Sequence, residues 1–256
     1  MDMQRRSHDA VVSDQFSPQS QAYLASAVHA RGEDLDQLAG IIGDRPEALA
    51  LDLGCGGGHV SFLLAPRVRK VVAYDLSEAM VETARAEAAR RGLGNLDVRR
   101  GSAETLPCPD AAFDLVVTRH SAHHWHDVAT GLREARRVLK PGGLAVIMDV
   151  VTPGSALLDT WLQSLELLRD PSHVRNYSVE EWRKMLAVAG FGPVTTSRFR
   201  LRLEFSSWIR RMNTPEVHVQ AIRSLQGRAG AEIVRHFEME ADGSFTLDTM
   251  LMAAEG

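Results

Sequence analysis

Four histidines fall within seven residues of the stretch Thr118-Arg-His-Ser-Ala-His-His-Trp-His-Asp127, at His120, His123, His124 and His126. An imidazole with an ordinary pKa near 6.5 can take up a proton at neutrality, bind a metal or pack as a polar ring. The segment holds no HExxH. Its spacing does not set two histidines one helical turn apart with a third ligand in sight, so no metal is expected. A general base is the sharper reading, with His120 the first candidate and His123 the second. The plain alternative is that His124 and Trp125 only anchor the loop and His126-Asp127 opens the next helix.

Upstream, Ala50-Leu-Asp-Leu-Gly-Cys-Gly-Gly-Gly-His59 runs from an apolar strand into glycines. Glycines let backbone approach a ligand closely, and the helix that follows begins with unpaired N–H groups. The pattern is GxGxG, from Gly54 through Gly56 to Gly58, with His59 where the dinucleotide fingerprint needs its third glycine. Asp52, just ahead of the turn, is badly placed beside a pyrophosphate but suits an ammonium or sulfonium. Asp75 follows Gly58 by 17 residues, about the spacing at which an acid meets a ribose diol.

The elements that must position these residues follow from periodicity. Residues 48–150 alternate short β-branched apolar runs with longer helical patterns, the signal of βαβ units and a mostly parallel sheet. Strands are expected at Leu49–Leu53, Val71–Asp75, Asp97–Gly101, Asp114–Thr118 and Leu144–Asp149, most of them too continuously apolar to face solvent. Ser77 should cap a helix that buries Met80, Val81, Ala84 and Ala88. A second helix, from about Asp127 to Leu139, should stop at Lys140-Pro-Gly-Gly143, which turns the chain into the next strand. Residues 18–43 read as two helical segments broken near Gly32, with Tyr23, Leu24, Val28, Leu35 and Leu38 available for packing. After residue 150 come helices at Ala156–Arg169 and from a capping box at Ser178 and Glu181 to Gly190. An extended run Val194–Leu203, helices around Thr214–Glu240 and a strand at Phe245–Met252 complete the chain. The division expected is an N-terminal helical lid over 1–44, a ligand-binding core over 45–202, a helical substrate cap over 203–240 and a C-terminal strand over 241–256.

Composition narrows the function. The 256 residues carry 29 Lys and Arg against 33 Asp and Glu, a net charge of −4, which offers no basic field for nucleic acid. No run approaches the roughly 18 apolar residues of a membrane span, and the N-terminus lacks a secretory apolar core. Cys55 and Cys108 have no CxxC spacing. Reduced thiols and a cytoplasmic location are expected.

The chain resembles the class I S-adenosylmethionine-dependent methyltransferases, in the branch that includes ubiquinone and menaquinone C-methyltransferases. The resemblance covers about residues 45–152 and rests on five motifs in order: Leu51-Asp-Leu-Gly-Cys-Gly-Gly-Gly58, Tyr74-Asp-Leu-Ser77, Gly101-Ser-Ala-Glu-Thr-Leu-Pro107, Phe113-Asp-Leu-Val116 and Leu139-Lys-Pro-Gly-Gly143. It implies a Rossmann-like, doubly wound, seven-stranded sheet with the last strand antiparallel, and S-adenosylmethionine as cofactor. By that resemblance Gly54, Cys55, Gly56 and Gly58 follow the methionine and ribose, Asp52 meets the amino group directly or through water, and Asp75 accepts from both ribose hydroxyls. Leu76 covers the adenine face, Met80 lies nearby, and Ser102 and Ala103 meet the adenine edge. The family often carries an acid where Ser102 stands, so Ser102 Oγ, Glu104 or water must replace that contact. Arg119 brings its backbone near the methionine, and His120, His123 and His124 face cofactor or substrate. Gln15, Phe16 and Tyr23 resemble an aromatic lid over the sulfonium, although packing alone would also explain Tyr23.

Methyl transfer needs the nucleophile about 3–3.5 Å from an already activated methyl carbon, and a base only where the acceptor gives up a proton. The loop does not read Asn/Asp-Pro-Pro-aromatic, which argues against amide and exocyclic amino acceptors. Carbon, oxygen or ring-nitrogen atoms of a small molecule remain, and the resemblance to the quinone-methylating branch favours carbon or oxygen, with Trp208, Arg210, Arg211, Met212 and His218 as candidates to line the pocket. The rivals are a nicotinamide- or flavin-dependent oxidoreductase and a binder of the same cofactor that does not catalyse.

Overall fold

A computed structural model describes residues 6–24 and 31–256; Val28 lies outside them. The N-terminal part runs α1 (His8–Phe16), a 3-10 turn, α2 (Ser20–Leu24) and α3 (Glu33–Ile42). The core follows as β1 (Arg45–Leu53), α4 (His59–Leu64), β2 (Val68–Asp75), α5 (Glu78–Arg90), β3 (Leu96–Arg100), β4 (Phe113–Arg119), α6 (Val128–Val138) and β5 (Leu139–Val151). Then come α7 (Ala156–Arg169), α8 (Val179–Ala189), β6 (Val194–Leu203), α9 (Phe205–Arg211), α10 (Glu216–Gln226), α11 (Ala231–His236) and β7 (Phe245–Glu255). One seven-stranded sheet has the order β3-β2-β1-β4-β5-β7-β6. β7 is antiparallel to both its neighbours, and the pairs among β1 to β5 are parallel.

Alternation along the strands builds two cores. Leu51, Leu53, Val116 and Ile147 point to one face, under Leu132 and Val138 of α6 and Trp182 and Leu186 of α8. Ala50, Leu115, Val117 and Val146 point to the other, against Val60 and Leu64 of α4. Helix α3 adds Leu35, Leu38 and Ile42 to that second core. This part of the expected lid is therefore a cover of the sheet. A third cluster joins Trp161, Leu162 and Leu165 of α7 to Trp208, Ile222, Ile233 and Phe237 of the three helices after β6, so the 203–240 segment packs on α7.

The strands run longer than the apolar runs that announce them. β1 begins at Arg45 rather than Leu49 because its first residues, though exposed, enter the ladder beside Val68. Lys140-Pro-Gly-Gly143 is carried within β5, where Gly142 N donates to Gly256 O at 3.1 Å and Gly256 N to Gly143 O at 2.8 Å. The chain end thus extends the ladder over the glycines. Capping follows side-chain chemistry: Ser77 Oγ accepts from Met80 N, and Ser178 and Glu181 close a capping box. Among the described residues no helix is long and apolar enough to cross a membrane.

Candidate active site

At the carboxyl end of β1 the chain turns through glycines that hold it against β2. Gly54 N and Cys55 N both donate to Tyr74 O, at 2.8 and 2.9 Å. Gly54 has φ +67°, and a Cβ there would stand 1.7 Å from Ser121 Oγ; only glycine lets the loop after β4 come this close. Gly56 N then donates to Asp75 Oδ2 at 2.8 Å, while Asp75 Oδ1 accepts from Ser77 N at 2.9 Å. Burial raises the pKa of Asp75, and these two N–H groups oppose the rise. Asp52 is 1% exposed and accepts from Ser61 Oγ at 2.6 Å. Burial pushes its pKa to about 7, against the pull of Ser61.

These groups face a cavity of about 970 Å³ at the carboxyl ends of β1, β2 and β4, where open α/β sheets hold their ligands. Its walls include Asp52, Gly54, Cys55, Gly56, Asp75, Leu76, Met80, Ser102, Ala103, Glu104, Arg119, His120, His124 and Tyr23. Of the cofactor contacts expected from sequence, only Gly58 is not among the lining residues. It ends the turn at φ +90° ahead of α4, and the space its Cβ would take holds the Phe62 ring, so this glycine serves packing. Asp9, Val12 and Phe16 of α1 also line the cavity. The helix is fixed there by His8 Nε2 donating to His124 O at 2.8 Å and Gln15 Nε2 donating to Met212 O at 2.9 Å. No motif singles out Asp9 or Val12.

The histidines form the far wall. His120 lies in left-handed backbone at φ +50°, an unfavourable conformation for a residue with a Cβ. Its N–H donates to Met148 O at 2.8 Å, and its ring nitrogens are 3.8 Å from Asp149 Oδ1 and 3.9 Å from Asp34 Oδ2. Burial, with Arg119 beside it, lowers its pKa. His123 is held more tightly, with Nδ1 2.6 Å from Asp149 Oδ1. Burial alone would disfavour its imidazolium, but the Asp149 carboxylate outweighs burial and raises the pKa. Burial works in the opposite sense on Asp149, yet His123 and His120 hold it below the usual carboxylate range. Burial and the neighbouring His123 push His124 down to about 4. His126 is exposed but reaches the rim of the first cavity. Asp149, the acid that fixes His123, lies near the carboxyl end of the adjacent strand β5. Its position beside the loop after β4 was the available signal, and sequence reasoning did not use it.

Behind this wall lies a second cavity of about 570 Å³. It shares Tyr23, His120 and His124 with the first and adds the polar or charged His123, Glu166, Arg169, Asn176 and Arg211 and the apolar Val150, Leu201, Leu203, Trp208 and Leu247. His123 therefore faces this second space. Trp208 and Arg211 reach it, but Arg210, Met212 and His218 are not among its lining residues. Met212 is buried and accepts from Tyr23 Oη through Sδ at 3.1 Å.

Residues 51–147 match the family model described as a methyltransferase domain. The chain is 36% identical over 200 residues to the uncharacterized methyltransferase YcgJ of Bacillus subtilis, covering 78% of this chain and 79% of that one. It is a class I S-adenosylmethionine-dependent methyltransferase. The crystal structure of YcgJ superposes with a TM-score of 0.83, covering 87% of this methyltransferase and 97% of that chain. The uncharacterized protein YafE of Escherichia coli is 47% identical over 201 residues, 78% of this chain and 97% of its own length. A 2-phytyl-1,4-naphtoquinone methyltransferase of Synechococcus elongatus is 39% identical over 124 residues, 46% of this chain and 53% of that protein. S-adenosylmethionine, the cofactor, supplies a methyl carbon already activated on a sulfonium. The donor set fits it, with a half-buried acid at Asp75, held by Gly56 N and Ser77 N, for a diol and a buried acid at Asp52 for a cation. The oxidoreductase reading is set aside by the family.

Proposed function

We propose that this methyltransferase transfers the methyl group to a carbon or oxygen atom of a small molecule seated in the second cavity, while the cofactor occupies the first. One observation carries the reading. A cavity lined by glycines and acids and a second cavity lined by both polar and apolar side chains meet at Tyr23, His120 and His124, as a donor site and an acceptor site must. The Synechococcus relative, by its name, acts on a 2-phytyl-1,4-naphthoquinone, an acceptor that is neither protein nor nucleic acid.

In this arrangement Asp52 binds the ammonium of the cofactor, Asp75 the ribose diol, and Gly54, Cys55 and Gly56 line the path between them. Leu76 and Met80 cover the adenine, with Ser102, Ala103 and Glu104 at its edge. Tyr23, Arg119 and His124 close the chamber against water. His123 is the base: Asp149 fixes its Nδ1–H, which leaves Nε2 to accept a proton. His120, at the junction of the two spaces, aligns the acceptor. Bound S-adenosylmethionine would supply the activated methyl carbon, and His123 Nε2 would take up the proton that the acceptor gives up. The test supplies the enzyme with methyl-labelled cofactor and separate protein, nucleic-acid and small-molecule fractions of a cell extract. Label is expected in the small-molecule fraction, and label confined to protein or nucleic acid overturns the reading.

A further inference from the structure

The second cavity contains polar groups that its own protein leaves unsatisfied. Asn176 is 2% exposed, and neither Oδ1 nor Nδ2 of its amide has a hydrogen-bond partner among the described residues. The backbone of Asn176 is held firmly, with its N–H donating to Gln163 Oε1 at 3.1 Å and its carbonyl accepting from Gln163 Nε2 at 2.7 Å. Asn176 thus lines the cavity from a fixed backbone position. A buried amide without partners is unfavourable, and such groups mark ligand contacts when they face a cavity.

The charges facing the same space do not cancel. Arg169 is used internally: Nε donates to Trp208 O at 3.1 Å, and Nη1 pairs with Glu166 at 3.4 Å. That pair neutralises the one carboxylate in the lining. Arg211 remains, hydrogen-bonded to Tyr23 but with a buried Nε that has no partner among the described residues. Burial and the adjacent Arg169 both work against its charge, and an anion would relieve both. The same lining includes Val150, Leu201, Leu203, Trp208 and Leu247, apolar side chains suited to a ring or short hydrocarbon.

We propose that the methyl acceptor is a small carboxylic acid with an apolar body, its carboxylate held by Arg211 and the Asn176 amide N–H groups, with a hydroxyl of the acceptor donating to Asn176 Oδ1. This rests on the second cavity being the acceptor chamber. Charge-assisted bonds of this kind are the stronger ones, so the acid should bind about tenfold or more tighter than its neutral amide.

The test uses full-length protein saturated with S-adenosylhomocysteine, a fluorinated salicylate and the matching fluorinated salicylamide, followed by fluorine NMR. Wild type should prefer the salicylate by about tenfold or more. Arg211→Met and Asn176→Asp should abolish the preference, and Arg211→Lys should restore part of it. Calorimetric affinity for S-adenosylhomocysteine should be unchanged in each variant, which also reports that the fold is intact. Equal binding of the two probes to wild type, no binding of either, or a preference that survives both Arg211→Met and Asn176→Asp overturns the proposal. Failure of wild type to bind S-adenosylhomocysteine would instead sink the two-cavity reading, and this proposal with it.

Discussion

Affinity for S-adenosylhomocysteine should rise with pH through neutrality, and Asp52→Asn should remove that dependence. Asp52 is 1% exposed, and burial carries its pKa from 3.8 to about 7, so at pH 7 about half the free enzyme holds it protonated. An ammonium is bound by the carboxylate form alone, so the binding-competent fraction is roughly nine tenths at pH 8 and one tenth at pH 6. The dissociation constant should therefore rise about tenfold from pH 8 to pH 6. Isothermal titration in buffers of different ionisation enthalpy should show a proton released near pH 7. The sign for stability follows from the same pKa. An acid whose folded pKa is raised favours its neutral form, so the free protein loses stability as pH climbs from 3.8 to about 7. Above that range the charged, buried Asp52 costs up to ~4 kcal/mol. Urea unfolding of Asp52→Asn without cofactor should thus show a gain of a few kcal/mol at pH 8 that shrinks toward pH 4. His123, whose pKa is raised, would also weaken binding of a cation at low pH, but its effect would survive in Asp52→Asn. A flat wild-type profile between pH 6 and 8, or a slope kept in full by the variant, would refute the reasoning.

Other consequences are open to direct measurement. Asp75→Ala removes the acceptor of Gly56 N and Ser77 N together with the diol partner, and calorimetry should find S-adenosylhomocysteine bound on the order of a hundredfold more weakly. Gly54→Ala sets a Cβ against Ser121 Oγ, which should lower unfolding stability by about 2 kcal/mol and weaken cofactor binding as the loop after β4 moves away. Asp149→Asn takes away the charge that raises His123, so the imidazole resonance of His123 followed by NMR should titrate at lower pH than in wild type. In wild type, the stability that the charged His123–Asp149 pair adds should be fully present below pH 6.5 and be lost as pH rises through the higher folded pKa of His123; thermal melts against pH read this directly.

What the sequence disclosed was local in origin. The strand ends, the glycine turn and Asp75 are spelled by contiguous residues, because a strand, a tight turn and a helix cap are each decided within a few positions. The same logic correctly placed Ser77 and Ser178 as caps and started a helix at about Asp127, the residue that caps it. The pattern could not say which glycine approaches a ligand and which makes room for a side chain, and Gly58 proved to be the second kind. It also could not pair His123 with Asp149 or bring Asn176 and Arg211 to one cavity, because those meetings depend on strand order and on how the helices after β6 settle against α7. Arg210 and Arg211 are neighbours in sequence and alike in chemistry, yet the turn of α9 puts only Arg211 into the lining.

A crystal structure with S-adenosylhomocysteine bound tests the central claim most directly. The ribose hydroxyls should lie on Asp75, the amino group near Asp52, and the sulfur should be directed past His120 toward the space bounded by His123 and Asn176. A nucleoside found in the second cavity, or a sulfur directed away from the histidine wall, would contradict the account.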